Sequence, residues 1–200
     1  MSTTSTHNTA PQSLRPRPKR ADARRNYDKV VAAAREAFAA GGASTSLEEI
    51  ARRAEVGIGT LYRNFPNRQA LLEAVYVDEV EDLCRTAGDL NALAPWDAFV
   101  GWLHRFVAYL ATKQALAQEL LNYFDRDAEL FQSCRAALYA SGEPLLRRAQ
   151  EAQAVRADTD ISEVIQMVGG IVKIPTSDAG QIDHILDIAL DGLRYRDSSP

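Results

Sequence analysis

Residues 45–72 read TSLEEIARRAEVGIGTLYRNFPNRQALL, and this stretch decides the fold. Glu49 follows Ser46 by three residues, the spacing of a capping box, so a short helix is predicted to begin there. A second short helix is predicted from Ile58 to Phe65, because Pro66 disfavours helical geometry in the residue before it. Two short helices joined by a turn of a few residues are typical of a helix-turn-helix, whose second helix lies in the major groove of DNA.

The side chains of this stretch divide into an inward and an outward set. Ala51 is small where the two helices cross, and Val56, Leu61 and Phe65 point into a core. Small outward residues let the backbone approach base edges, while hydroxyl, amide and guanidinium groups can bond bases or phosphates. The outward set is Gly57, Ile58, Gly59, Thr60, Tyr62, Arg63 and Asn64, with the hydroxyl of Thr45 before the first helix.

The segment GTLYxxF at 59–65, followed by a polar residue and Leu71-Leu72, resembles the DNA-binding domain of TetR-family transcriptional regulators. The resemblance is strong over residues 26–75. In the rest of the chain it is limited to the number and length of the helices and their general sequence character. It implies groove-facing positions at Ile58, Gly59, Thr60, Arg63 and Asn64, phosphate contacts at Tyr62 and Thr45, and a cation at the start of the fourth helix at Arg68. Further candidate DNA contacts are Arg24, Arg25, Ser46 and Gly57.

Three positions depart from the family pattern. Glu55 stands at the turn where Gly is usual, so a non-Gly residue is expected to adopt a positive φ. Gly57 replaces a Ser or Thr helix cap, which costs only a few tenths of a kcal/mol. Asn64 stands where His is frequent. These changes leave DNA binding in place, but the operator sequence does not follow from them.

Outside this stretch, apolar residues recur at helical spacing and no sustained strand pattern occurs, so the chain is predicted to be all-α. It is expected to consist of an N-terminal three-helix helix-turn-helix domain and a C-terminal helical domain for ligand binding and dimerisation. Asp160 with Glu163 repeats the capping-box spacing, and Ser177 can cap the last helix. Helices are predicted at 26–40, from the cap Asn67 to about 87, and at 94–113, 115–123, 127–154 with a break or kink near Gly142-Glu143-Pro144, 161–173 and 178–195.

The charge of −4 is unevenly distributed over the predicted units. Residues 1–25, a predicted disordered arm, carry +5, the domain at 26–75 is neutral, and the remainder, comprising the helical domain at 76–196 and a frayed tail at 197–200, carries −9. A basic segment attracts phosphate-rich partners. Arg15 to Arg25 is therefore hypothesised to follow the DNA backbone or enter the minor groove, with a merely solubilising tail as the alternative.

The predicted helix at 94–113 is apolar on more than one face, as in a buried helix. Its aromatic residues and those that follow can fill a core or line a ligand cavity, and for any single residue core packing is the simpler interpretation. The family resemblance implies a small inducer in this domain, for which an apolar or aromatic molecule is expected. The candidate pocket residues are Trp102, Phe106, Tyr109, Phe124, Phe131, Tyr139 and Met167.

The last two predicted helices carry apolar stripes, and Gly169-Gly170 permits close helix approach. The resemblance implies that they pair with a second copy, so that two recognition helices reach successive major grooves; intramolecular packing is the alternative. The candidate dimer residues are Ile165, Val168, Val172, Ile182, Ile185, Leu186 and Leu193. The segment 145–158 also resembles, more weakly, the C-terminal domain of the SbtR-like TetR subgroup.

Other classes of protein lack support. No nucleophile elbow, phosphate loop or metal-binding motif occurs, so no enzymatic activity, metal or cofactor is expected. His104 is interpreted as a core or pocket-wall residue, His184 as a surface residue and Cys134 as a buried apolar group, with redox sensing left open. Without a membrane-spanning run, a secretory signal or paired cysteine motifs, a reducing cytoplasm is expected.

The sequence therefore predicts a ligand-responsive, dimeric DNA-binding regulator, most simply a repressor released from its operator by an apolar or aromatic inducer. The alternative is a helical small-molecule-binding protein or enzyme that does not bind DNA. The inducer, operator and target genes do not follow from the sequence.

Overall fold

A computed structural model describes residues 17–41, 45–123, 129–175 and 178–195. Within these ranges the chain forms eight α-helices, one 3-10 turn at Leu90–Ala92 and no strand, which confirms the all-α prediction. The helices are α1 (Ala21–Gly41), α2 (Leu47–Arg53), α3 (Ile58–Asn64), α4 (Arg68–Asp89), α5 (Pro95–Tyr123), α6 (Glu129–Glu151), α7 (Ile161–Ile171) and α8 (Ala179–Leu193).

Helices α1 to α3 and the start of α4 form a small head. Its core contains Phe38, Ile50, Leu61 and Phe65, and the rings of Tyr27 and Phe65 lie 4.9 Å apart. Helix α4 leaves the head and packs against α5 and α6, which with α7 and α8 form the body. A single 22-residue helix therefore belongs to both parts of the molecule.

Helix α1 begins five residues earlier than predicted, so residues 21–25, assigned above to a disordered arm, are helical. Alanine has the highest helix propensity, and two alanines stand at 21 and 23. The carboxylate of Asp22 lies in the first turn, where it interacts favourably with the helix dipole. The sequence analysis missed this helix start because Arg24 and Arg25, directly after Ala23, were counted with the basic arm.

The predicted helix caps are mostly found. Asn67 accepts a hydrogen bond from the backbone N–H of Ala70 at 2.8 Å, and Asp160 and Glu163 form a complete capping box. Ser46 accepts from the backbone N–H of Glu49, but the Glu49 carboxylate binds Arg52 and Arg53 instead of closing that box. Helix α8 is capped by Asp178, whose carboxylate accepts from the Gly180 N–H at 2.9 Å, while Ser177 lies outside the described residues.

One predicted helix end in the body was wrong. Helix α5 runs without a break where ends at 113 and 115 were expected, because residues 113–116 are Lys, Gln, Ala and Leu, all good helix formers. Near Gly142-Glu143-Pro144, where a break or kink was predicted, helix α6 continues through Pro144 without a break. Gly142 there has a packing role, since a Cβ atom at this position would lie 2.5 Å from the Trp102 ring of α5.

Candidate nucleic-acid interface

The turn between α2 and α3 has the predicted strained backbone. Glu55 has a φ of 55°, in the left-handed region that favours glycine. The backbone N–H of Glu55 donates to the carbonyl of Arg52, and that of Val56 donates to the carbonyl of Ala51 at 3.0 Å. Gly57 caps α3 without a side-chain hydrogen bond, as expected. These contacts fix the angle between α2 and α3.

Helix α3 presents an outward face of the predicted composition. Leu61 and Phe65 are buried, whereas 39% of Ile58 and 45% of Tyr62 is exposed, unusually high for large apolar and aromatic side chains. Arg63 is exposed as well. A Cβ atom at Gly57 or Gly59 would meet nothing within 4 Å, so the backbone on this face is accessible. The outward orientation of Ile58, Tyr62 and Arg63 is confirmed, and contact with DNA stays a prediction.

The remaining polar residues of α3, Thr60 and Asn64, are less exposed. Thr60 and Asn64 are half-buried, and the Asn64 amide donates to the Thr60 carbonyl at 2.9 Å. One donor of Asn64 is thus used within the helix. Exposure and open backbone therefore single out Gly59, Tyr62 and Arg63 within this face.

Arg68, the candidate DNA-binding cation at the start of the fourth helix, is bound within the head. Its Nη1 donates to the Thr45 carbonyl at 2.5 Å, and its guanidinium lies 5.3 Å from the centroid of the Phe38 ring. The Thr45 hydroxyl donates to the carbonyl of Ala37 at 3.3 Å. These contacts hold the start of α4 against the segment before α2, so the structure favours a structural role for both residues. Ser46 is exposed, with its hydroxyl oxygen used in the α2 cap.

The arm binds the protein itself at Arg17. Its guanidinium lies 3.2 Å from the carboxylate of Asp28 on α1, and 2.5 Å and 2.8 Å from those of Asp78 and Glu81 on α4. Three carboxylates thus attract Arg17 to the protein, while the hypothesis that Arg15 to Arg25 follows DNA stays a prediction; Arg15 lies outside the described residues. Arg24 and Arg25 are exposed, with Arg25 paired to Asp22.

A row of acidic residues on α4, Asp78, Glu79, Glu81 and Asp82, joins head and body. Arg35 of α1 pairs with Asp78 at 2.6 Å and also with Glu79, and Arg105 of α5 lies 2.8 Å from Asp82. Burial raises the pKa of Glu79. The sequence analysis missed this row, although four acidic residues in five positions of one helix were a visible signal. The charges connect α1, α4 and α5.

A cavity of about 200 Å³ opens beside this acidic row. The guanidinium-bearing residues Arg35 and Arg105 contribute to its wall, as do Glu79 and Asp82. Tyr109, Ala108 and Thr112 of α5 form another part of the wall. One predicted pocket residue, Tyr109, therefore reaches the junction between head and body.

The other predicted pocket residues of α5 form a buried stack. The rings of Trp102 and Phe106 are nearly parallel with centroids 5.8 Å apart, and Phe106 stacks on Tyr109 at the same distance. The Trp102 indole nitrogen is buried without a hydrogen-bond partner among the described residues. Tyr76 of α4, which the sequence analysis missed, contacts both Tyr109 and Phe131. The stack thus fills the centre of the body.

The predicted pocket residues do not share one cavity. Tyr139 is half-buried, and Met167 lines a different cavity of about 320 Å³, together with Arg156, Glu163 and Leu193 among others. Phe124 lies outside the described residues. The candidate pocket residues, chosen by residue type alone, thus lie partly in the buried aromatic stack and partly beside two separate cavities.

His104 is exposed, contrary to the interpretation as a core or pocket-wall residue. Two positions along an α-helix correspond to about 200°, so His104 faces away from Trp102. His184 is exposed as expected. Cys134 is buried as expected, and burial raises the pKa of its thiol to about 12.

The candidate dimer residues fall into two groups. Val168, Leu186 and Leu193 are buried within the protomer because they face the inner side of α7 and α8, so they present no surface to a second copy. Ile165, Val172, Ile182 and Ile185 are half-buried. Ile188 was missed, and 60% of it is exposed.

In the described part of the chain, no helix combines the length and hydropathy required to cross a membrane. Nor does that part contain a group of three or more His, Cys, Asp or Glu side chains arranged to hold a metal ion.

Comparison with known proteins finds related regulators along nearly the whole chain. Residues 30–75 match the family model of bacterial regulatory proteins of the tetR family, and residues 94–195 match that of the C-terminal domain of SbtR-like transcriptional regulators. The structure is similar to the TetR transcriptional regulator SCO0520 from Streptomyces coelicolor, with 34% identity over 84% of this chain and 98% of that one and a TM-score of 0.74.

A TetR transcription regulatory protein from Mycobacterium vanbaalenii is also similar, with 35% identity over 88% of this chain and 99% of that one and a TM-score of 0.73. GusR from Salmonella enterica, at 23% identity over 88% and 98% of the chains and a TM-score of 0.63, shares the fold.

Proposed function

The chain belongs to the TetR family of bacterial transcriptional regulators, which are DNA-binding proteins and not enzymes, and from this premise we propose that it is a ligand-responsive repressor. As a dimer it binds a DNA operator through α3 of each copy. A small apolar or aromatic inducer bound in the body then lowers its affinity for the operator.

The observation that carries DNA reading is the outward face of α3. A large share of Ile58 and Tyr62 is exposed although burial of apolar surface is favourable, so this face is suited to a partner. The open backbone at Gly59 permits close approach to base edges. Arg63 adds a guanidinium that can bond guanine or phosphate. Most of this face is uncharged, so the proposed readout depends mainly on shape and on hydrogen bonds.

A gel-shift titration with DNA from upstream of the chain's own gene tests this proposal. Tyr62→Ala and Arg63→Ala are each expected to weaken specific binding about tenfold or more, as for loss of one good contact worth about 1–3 kcal/mol. Arg147→Ala is the matched control, because Arg147 is an exposed arginine on α6 of the body. The absence of any specific, salt-sensitive shift with wild-type protein contradicts the proposal.

The dimer is proposed to form through the outer sides of α7 and α8. Ile188 is the most exposed large apolar residue of the described chain, and half-buried Ile182 and Ile185 lie on the same helix. Contact with a second copy would remove this surface from water. Ile188→Glu is expected to give a monomer in size-exclusion chromatography with light scattering, while Leu93→Glu, an exposed leucine outside these helices, leaves a dimer. A dimeric Ile188→Glu variant contradicts this interface.

Inducer response is proposed to travel along α4. This helix packs against α1 in the head and against α5 and α6 in the body, so a ligand that moves it changes the spacing of the two heads. Operator affinity then falls by the difference in ligand affinity between the two conformations.

A further inference from the structure

One arginine of the head, Arg35 on α1, reaches two neighbouring carboxylates of α4. Its Nη2 donates to Asp78 at 2.6 Å, and its Nε contacts the carboxylate of Glu79. Only 20% of the Asp78 side chain and 14% of the Glu79 side chain is exposed, so solvent screens these pairs weakly. The planar guanidinium donates in fixed directions, so it defines an orientation as well as an attraction. The contact therefore holds α1 at one angle to α4.

The apolar contacts next to Arg35 define this angle less sharply. Ala33, Ala34 and Ala37 are buried beside it on α1, and each offers a single methyl group. Hydrophobic contact is non-directional and grows with the area buried, which is small for alanine. The ion pairs thus supply most of the directional information at this point of α1.

The cavity of about 200 Å³ lies on the other side of this contact. Arg35 and Glu79 line it from α1 and α4, and Ala108 and Thr112 line it from α5. Protein interiors are normally close-packed, and the unfilled space here leaves α1 and α4 room to shift against α5. The ion pairs, and not close packing, therefore set the position of α1 at the junction of head and body.

The position of α1 in turn sets the direction of α3. The two helices pack together, and the ring of Tyr27 on α1 lies 4.9 Å from the ring of Phe65 at the end of α3. Both rings are buried, so α1 and α3 move as one unit. A change in the angle between α1 and α4 is thus carried to the exposed face of α3.

We propose that Arg35 is a positioning residue for operator binding: it fixes the angle between the head and α4, and thereby the distance between the two recognition helices of a dimer. This inference rests on the proposed function, because it requires two copies that read one operator. It adds that the spacing of the heads is set by an ion pair within each chain. Two half-sites bound at once gain from a high effective concentration only when the spacing of the heads matches them.

Arg85 provides a matched control for Arg35. Its guanidinium lies 3.0 Å from Asp82, three residues earlier in the same helix. This pair belongs to the same acidic row, but both of its members lie on α4, so it joins no two helices. Removal of Arg85 therefore changes the charge of the row without releasing α1.

Two duplexes test the proposal: the segment upstream of the chain's own gene that is protected in footprinting, and the same segment with one half-site scrambled. Arg35→Met is expected to weaken binding to the complete duplex about tenfold and to change binding to the single half-site less than about twofold, since only joint binding depends on spacing. Insertion of one base pair between the half-sites is expected to weaken the wild type more than Arg35→Met. Arg85→Met is expected to match the wild type on every duplex.

The double variant Asp78→Asn, Glu79→Gln removes the same contact from α4 and leaves Arg35 in place, so it is expected to give the same pattern as Arg35→Met. Thermal unfolding of each variant establishes that it is folded at the temperature of the titrations. Equal weakening on both duplexes, no weakening on either, or a loss of the same size in Arg85→Met overturns the proposal.

A measurement without DNA separates this inference from the proposed function. Spin labels at Glu36→Cys, an exposed position of α1, report the distance between the two heads by double electron–electron resonance in a Cys84→Ala, Cys134→Ala background. Chains with Arg35 are expected to give one narrow distance distribution, and Arg35→Met a broader one. An unchanged distribution overturns the positioning role even where operator binding is specific. A broadened distribution in a protein without specific DNA binding supports the positioning role and rejects the repressor.

Discussion

The head and the body are both built from amphipathic helices, yet they use polar residues in different ways. In the head, α3 directs mostly uncharged residues outward, while Arg68 binds inside over the Phe38 ring. In the body, α4 directs a row of carboxylates at arginines of neighbouring elements. The head thus leaves its polar and apolar outward face open to a partner, whereas α4 uses its carboxylates to join neighbouring parts of the chain.

The largest expected effects on stability come from removing one buried aromatic ring from the core of the head and one from the core of the body. Phe65→Ala in the head and Trp102→Ala in the body each remove a fully buried aromatic ring, and each is expected to lower the free energy of unfolding by about 3–5 kcal/mol in urea denaturation. Equal losses mean that the stack is a structural core. A loss below about 1 kcal/mol for Trp102→Ala alone contradicts this account and indicates that the stack lines a loosely packed cavity.

A second prediction concerns the pH dependence of stability and involves a residue of the body, Cys134. The pKa of Cys134 is about 12 in the folded chain and near 8.5 when unfolded, so the folded state holds the proton more tightly. Stability is full below about pH 8.5 and falls by up to about 1.4 kcal/mol per pH unit as the pH rises toward 12. Cys134→Ala is expected to flatten this decline in urea titrations between pH 8 and 10. An identical decline in the variant shows that other groups cause it.

One residue with a positive φ lies in the head and one in the body, so the same substitution can be compared in both. Glu55 lies in the turn of the head and Gln153, with a φ of 54°, lies in the turn after α6 of the body. Glycine adopts this conformation without strain, so Glu55→Gly and Gln153→Gly are each expected to stabilise by about 1 kcal/mol. Thermal unfolding measures both, and destabilisation by Glu55→Gly contradicts the strained turn.

The smallest expected effects separate the arginines of the N-terminal segment. Arg17→Gln removes partly exposed ion pairs and is expected to cost about 1 kcal/mol of stability with no change in the salt dependence of DNA binding. The double variant Arg24→Gln, Arg25→Gln is expected to reduce the salt slope by about 2 with little effect on stability. The opposite pattern places Arg17 on DNA and contradicts its docking on α4.

The sequence predicted the head well because its turns and crossings tolerate few residue types. Ala51 at a helix crossing, Glu55 at a strained turn and Phe65 before a proline each constrain the backbone, and the structure agrees at all three. The predicted inward and outward sides of α3 follow from the same pattern.

The body was less predictable because an aromatic residue suits a core and a cavity equally. The pattern did not separate the buried stack of Trp102 and Phe106 from the cavity near Met167. Long-range charge pairs such as Arg17 with Asp78, 61 residues apart, leave no local signal. Their partners become evident only when α1 and α4 pack together.

Footprinting on DNA from upstream of the chain's own gene tests most directly that two copies of α3 read one operator. The account predicts two protected segments centred one helical turn, about 10–10.5 base pairs, or a whole multiple of it apart, and their joint loss with Tyr62→Ala. Protection without sequence preference, or protection that survives Tyr62→Ala unchanged, contradicts it.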